Sequence, residues 1–139
     1  MISLKSPEQL RLMQEAGKIT AGALLHAEKV LRDGMSTWEL DREIRHFIEK
    51  HGATPTFLGY DGFPGSACIS LNEEVIHGIP SKERIIREGD LVKVDVGACY
   101  RGYHGDSART FPVGQVSAAA LALIERTKEA FACGMAKAL

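Results

Sequence analysis

Asp95 and Asp106 are the residues of this sequence whose type and spacing most directly suggest chemistry. They lie in Val92-Lys93-Val94-Asp95-Val96-Gly97 and His104-Gly105-Asp106-Ser107-Ala108-Arg109, two runs that read as neighbouring strands of one tight hairpin. Two carboxylates held side by side repel unless a proton or a cation lies between them, so the arrangement asks for a metal bound through oxygen. Val92, Val94, Val96 and Ala98 alternate with Lys93, Asp95 and Gly97, which turns Asp95 to the face opposite the valines. A three-residue loop Tyr100-Arg101-Gly102, with Gly102 left-handed, sets Asp95 opposite Asp106 to within about one residue. Directly opposed Cβ atoms lie about 4.5 to 5.5 Å apart. Carboxylates that close can hold a pair of hard divalent ions, and a water acidified there can attack a carbonyl. The plainer alternative pairs Asp95 with Lys93 or Arg109 on a solvated sheet face.

His77 and His104 add to the metal reading. Glu74-Val75-Ile76-His77-Gly78-Ile79-Pro80 delivers an imidazole at the end of a short strand, where a loop can hold it toward a cleft. His26, His46 and His51 fall on expected helices and read as structural or solvated. Phe57, Tyr60, Phe63 and Cys68 surround the glycine-rich run Gly59-Tyr60-Asp61-Gly62-Phe63-Pro64-Gly65. They fit either ordinary packing where a loop crosses a sheet or a lipophilic pocket for one unbranched apolar side chain.

The elements that must position these residues can be read from their punctuation. Ser6-Pro7-Glu8-Gln9 supplies an N-cap, a proline at the first helical position and a capping-box partner, and apolar residues then recur at helical spacing until Asp33-Gly34. A helix from Pro7 to Arg32 follows. Ser36-Thr37-Trp38-Glu39 repeats the cap signal, Leu40, Ile44, Phe47 and Ile48 mark a buried stripe, and His51-Gly52 stops the second helix. From Ala53 the pattern changes to short β-type runs: Thr54 to Leu58, Ala67 to Leu71, Val75 to His77, Leu91 to Ala98 and Tyr103 to Val113. Ser117 can cap a third helix that runs from Ala118 to the end without a stop signal, which suggests that a further segment follows. The order is α+β, with one antiparallel sheet.

Composition narrows the function classes. The 139 residues suit one domain, with 45% hydrophobic and 25% charged side chains. Seventeen basic and eighteen acidic residues give a net charge of -1 without a basic block, so nucleic acid is not an expected partner. No apolar run reaches the length of a membrane span, and the start has no secretory signal. Cys68, Cys99 and Cys133 are odd in number and widely spaced, which argues against a disulfide framework and fits a reducing cytoplasm.

Taken in order, Lys5-Ser6-Pro7-Glu8, Leu58 to Pro64, Cys68-Ile69-Ser70-Leu71-Asn72-Glu73, His77-Gly78-Ile79-Pro80, Val94-Asp95-Val96-Gly97 and Tyr103-His104-Gly105-Asp106 resemble the amino-terminal half of type I methionine aminopeptidases. The resemblance covers essentially residues 1–139 and is to the short bacterial type. It implies half of a pita-bread fold: two helices, an antiparallel sheet with a metal-binding hairpin, and a trailing helix that starts near Ser117 and within which the sequence is truncated. It also implies removal of the initiator methionine from nascent chains by two divalent ions, whether cobalt, manganese, iron or zinc. Asp95 matches the aspartate that chelates one ion and Asp106 the one that bridges both. His77 matches the histidine that contacts the scissile amide and helps move a proton. Phe57, Tyr60, Phe63 and Cys68 match positions lining the methionine pocket. The family also uses a histidine and two glutamates from a second, pseudo-symmetric half, none of which this sequence contains. The expectations are therefore weak metal binding, little activity and self-association for this chain alone, with nascent peptides and the ribosome as partners to examine. Two readings compete with methionine removal: a prolidase-like dipeptidase relative, and a pita-bread binding module without catalysis.

Overall fold

The computed structural model describes residues 4–138. Helices α1 (Pro7–Val30) and α2 (Thr37–Lys50) precede a four-stranded antiparallel sheet of β1 (Thr54–Pro55), β2 (Ala67–Leu71), β3 (Leu91–Tyr100) and β4 (Tyr103–Pro112), and α3 (Ala118–Ala138) follows. The expected end of the last helix at Leu139 lies outside the described residues. Helices α1 and α2 start where the sequence says. Ser6 Oγ accepts the Gln9 amide at 3.2 Å while Gln9 Oε1 accepts the Ser6 amide at 2.8 Å, and Ser36 and Glu39 repeat the reciprocal pair.

β3 is the spine of the sheet. β4 pairs with it along its whole length from Leu91↔Pro112 to Tyr100↔Tyr103. The other edge is shared end to end: β1 takes Ala98 and Cys99, and β2 takes Val92 to Val96. This sharing explains why the strand expected from Thr54 to Leu58 stops at Pro55. The Thr56 amide still reaches the Gly97 carbonyl at 2.9 Å, but from Val96 onward that edge belongs to β2, so the chain has to leave the sheet. The strand expected over Val75 to His77 does not form. His77 has φ +62°, which breaks extended geometry, and only Gly78 meets the outer edge of β2.

Helices α1 and α2 cover the valine face. Leu24, Leu40, Ile44, Ile48, Ile69, Val92, Val94 and Val96 form one buried cluster, each large side chain contributing about 1.5 to 3 kcal/mol by leaving water. α1 presents a narrow stripe of small residues, Ala16, Thr20, Ala23 and Ala27, and so lies close on β3 and β4. Gly105 permits the closest approach, because a Cβ there would stand 2.6 Å from Thr20 Oγ1 and 2.7 Å from the Ala16 carbonyl oxygen. In contrast, α3 has no buried residue among those described. Gly105→Val should destabilise the chain by about 2 kcal/mol through overpacking against helix backbone. Gly134→Ala in α3, with nothing within 4 Å of the added methyl, should be neutral or slightly stabilising. Urea unfolding of the two variants checks this.

Candidate metal and substrate site

The face of β3 turned away from the helices carries Lys93, Asp95, Gly97 and Cys99, as the alternation requires. The hairpin differs from expectation in one respect that matters. Tyr100 pairs directly with Tyr103, so the loop has two residues, and Arg101 (φ +50°) and Gly102 (φ +85°) are both left-handed. That is the pattern of a type I′ turn, whose twist suits a hairpin. Asp106 then pairs with Gly97, and Asp95 pairs with Ala108. The two aspartates are diagonal rather than opposed, at the roughly 7 to 8 Å typical of such neighbours. Because the offset is an even number of residues, both stand on one face. A regular three-residue loop would have shifted the ladder by one and put Asp106 among the valines.

Asp95 is not neutralised by either of the cations proposed for it. Lys93 Nζ donates to the Asn72 carbonyl at 2.5 Å, and Arg109 pairs with Glu28 on α1 at 3.4 Å. Among the described residues no basic side chain forms an ion pair with Asp95 or Asp106. Burial pushes the Asp95 carboxyl up, the charge of Asp106 pushes it further, and His77 and the Val96 amide pull it partly back. Two hard oxygen donors on one face without a countercharge fit a divalent cation. They supply a partial set only: among the described residues no three His, Cys, Asp or Glu side chains converge as a metal group.

Cys68 pairs directly with Asp95 across β2 and β3, and so shares the face. Burial raises its thiol to about 11, with Asp95, Asp106 and Asp41 adding to the shift, which keeps the sulfur neutral near pH 7. The start of the glycine-rich loop stands over the same face, with Thr56 and Phe57 against Gly97. Gly97 leaves the space: a Cβ there would sit 2.8 Å from Thr56 Cβ and 3.0 Å from the ring of Phe57. Beyond Phe57 the loop closes on itself, the Gly59 amide meeting the Phe63 carbonyl at 2.8 Å around a 3-10 turn, Tyr60–Gly62. Phe57 and Phe63 are half-buried, while Tyr60 is 76% exposed. His104 sits toward the hairpin turn, opposite Cys99, its Nδ1 3.0 Å from Thr56 Oγ1.

Two supporting residues escaped the sequence reading. Asp41, buried on α2, accepts the Ser66 and Ala67 amides through one oxygen at 2.7 and 2.9 Å and so pins the return of the loop into β2. Burial raises its carboxyl and the two amides offset part of that cost. Its signal was an acid next to Leu40 in the buried stripe of an otherwise regular amphipathic helix. Ser70, also buried, accepts the Gly78 amide at 3.0 Å beside His77. Nothing distinguishes it in sequence from any serine in a strand.

Asp95→Asn tests the uncompensated charge. A carboxyl raised in the fold costs stability once ionised; the cost is absent below the ordinary value of 3.8 and grows as pH rises through the folded value. The variant should raise the metal-free thermal midpoint at pH 7 by about 2 °C, with no gain near pH 3, in calorimetry at both pH values. Alkylation followed by mass spectrometry at pH 8 should find Cys68 reacting at least ~10-fold more slowly than exposed Cys133.

The sequence motif of metallopeptidase family M24 matches residues 11–139. The chain is 50% identical over 139 residues to a methionine aminopeptidase of Clostridium acetobutylicum, covering 100% of this chain and 56% of that protein. The methionine aminopeptidase structure from Thermotoga maritima superposes with a TM-score of 0.89 at 40% identity, over 93% of this chain and 52% of that one. Aminopeptidase P from Escherichia coli superposes at 0.66 and 37% identity, over 79% of this chain and 24% of the other. The chain thus spans about half the length of the curated methionine aminopeptidase it matches.

Proposed function

We propose, from the premise that this chain belongs to metallopeptidase family M24, that it forms the amino-terminal part of an enzyme removing methionine from peptide amino termini. The observation that carries this reading is the pair Asp95 and Asp106 on one sheet face, without a countercharge, beside His77 and Cys68. Divalent ions bound there, whether cobalt, manganese, iron or zinc, supply Lewis acidity and a water deprotonated near neutral pH. Asp95 and Asp106 would hold these ions through their carboxylate oxygens. His77 donates a hydrogen bond to the scissile amide and passes a proton as its geometry changes. Phe57, Tyr60, Phe63 and the neutral Cys68 thiol enclose the methionine side chain, which is unbranched and apolar. A histidine and two glutamates from the rest of the protein complete the ligand set and supply the base.

The 139-residue chain by itself should bind manganese weakly, turn over at least ~100-fold more slowly than the whole enzyme, and self-associate. Exposed Leu121, Leu123, Phe131 and Met135 on α3 support the last point. Among the described residues no helix is long and apolar enough to cross a membrane. We place the enzyme in the cytoplasm, where its free cysteines stay reduced, acting on nascent chains at the ribosome.

With manganese or cobalt, the whole protein should cleave Met-Ala-Ser in preference to Ala-Pro peptides, and Asp106→Asn should lower kcat by ~100-fold or more. Preference for the proline peptide would move the assignment to a dipeptidase. Absence of both metal binding and cleavage would identify a binding module.

A further inference from the structure

His77 stands on the connection between β2 and β3, and hydrophobic burial does not hold it there. Its neighbours Val75, Ile76 and Ile79 are 78%, 61% and 53% exposed. Its backbone is left-handed, an arrangement that a non-glycine residue keeps only when surrounding contacts impose it. On one side Gly78 imposes it. The Gly78 carbonyl accepts the Ile69 amide at 2.8 Å, the Gly78 amide donates to Ser70 Oγ at 3.0 Å, and a Cβ there would lie 2.2 Å from the Ile69 carbonyl oxygen.

Arg84 imposes it from the other side. Its Nη1 donates to the Ile79 carbonyl at 3.3 Å and, at a longer 3.5 Å, to the Ile69 carbonyl of β2. Its Nη2 bonds the carboxylate of Glu74, whose own oxygen accepts the Leu71 amide at 2.9 Å. One planar guanidinium thus joins the strand, the residue where the loop leaves it and the residue where the loop returns, with His77 between them. Arg84 is itself anchored, because its carbonyl accepts the Thr37 amide at 2.9 Å at the start of α2.

We propose that Arg84 is a positioning residue for His77, fixing where the imidazole is presented by clamping both ends of the loop that carries it. The proposal rests on the role given to His77 above. In the whole metal-loaded protein, Arg84→Gln should lower kcat on Met-Ala-Ser ~10-fold or more and leave KM within ~twofold. Hydrogen exchange at the Gly78 amide should accelerate ~10-fold or more while the β3 amides stay protected. Arg84→Lys, which keeps charge but not the fork, should fall between the two. In a His77→Ala background Arg84→Gln should cost less than a further ~twofold.

An unchanged Gly78 exchange rate, an equal loss of kcat with and without His77, or loss of protection throughout β3 would each overturn the proposal. If His77→Ala leaves kcat untouched, the functional reading of that histidine fails instead, and Gly78 exchange alone then decides whether Arg84 clamps the loop.

Discussion

Repulsion between Asp95 and Asp106 is the constraint around which the rest of the chain is arranged. The hairpin forces the two carboxylates onto one face, where Lys93 is committed to a carbonyl, while Arg109, paired with Val94, lies on the opposite face against α1. A surface role would have let Lys93, on the same face, relax the strain at little cost, since exposed ion pairs form readily and contribute little. Instead the unfavourable charge is retained beside a buried thiol, which the same two aspartates help to hold neutral. Electrostatic cost that the fold does not relieve is a property of sites completed by a ligand.

The opposite face supplies the rigidity. Valines of β3 lock against α1 and α2, and Gly105 lets α1 lie so close that β4 cannot slide without striking helix backbone. Register is the quantity being protected, because a slip of one residue would send Asp106 into the hydrophobic layer. The helices also reach through the sheet margin to steady the loops on the working face. Asp41 holds the return of the glycine-rich loop, and the first turn of α2 receives the segment that carries Arg84.

Much of this was legible in the sequence, for identifiable reasons. Capping boxes at Ser6 and Ser36 act over three residues, so local reading found both helix starts. Alternation along β3 told which way Asp95 points. The turn was misjudged because Arg101 gives no sign of its left-handed conformation, and counting Tyr100 into the loop displaced the pairing by one. Val75-Ile76-His77 looked like a strand on composition alone, but β-propensity records fitness for a pleated surface, and with His77 left-handed only Gly78 meets the outer edge of β2. Asp41, Ser70 and Arg84 act across separations of 25, 8 and 15 residues, which no local pattern reveals.

The end-to-end placement of β1 and β2 along one edge of β3 separates two inheritances. The ladder that sets the carboxylates is continuous on the β4 side and owes nothing to the length of the loop between Thr56 and Ser66. That loop can lengthen, shorten or exchange its aromatics while the hairpin stays in step, provided that position 97 remains a glycine. Under the function proposed above, selection can therefore retune the loop without disturbing the ladder that holds the carboxylates, a modularity that suits one scaffold to many diverging preferences.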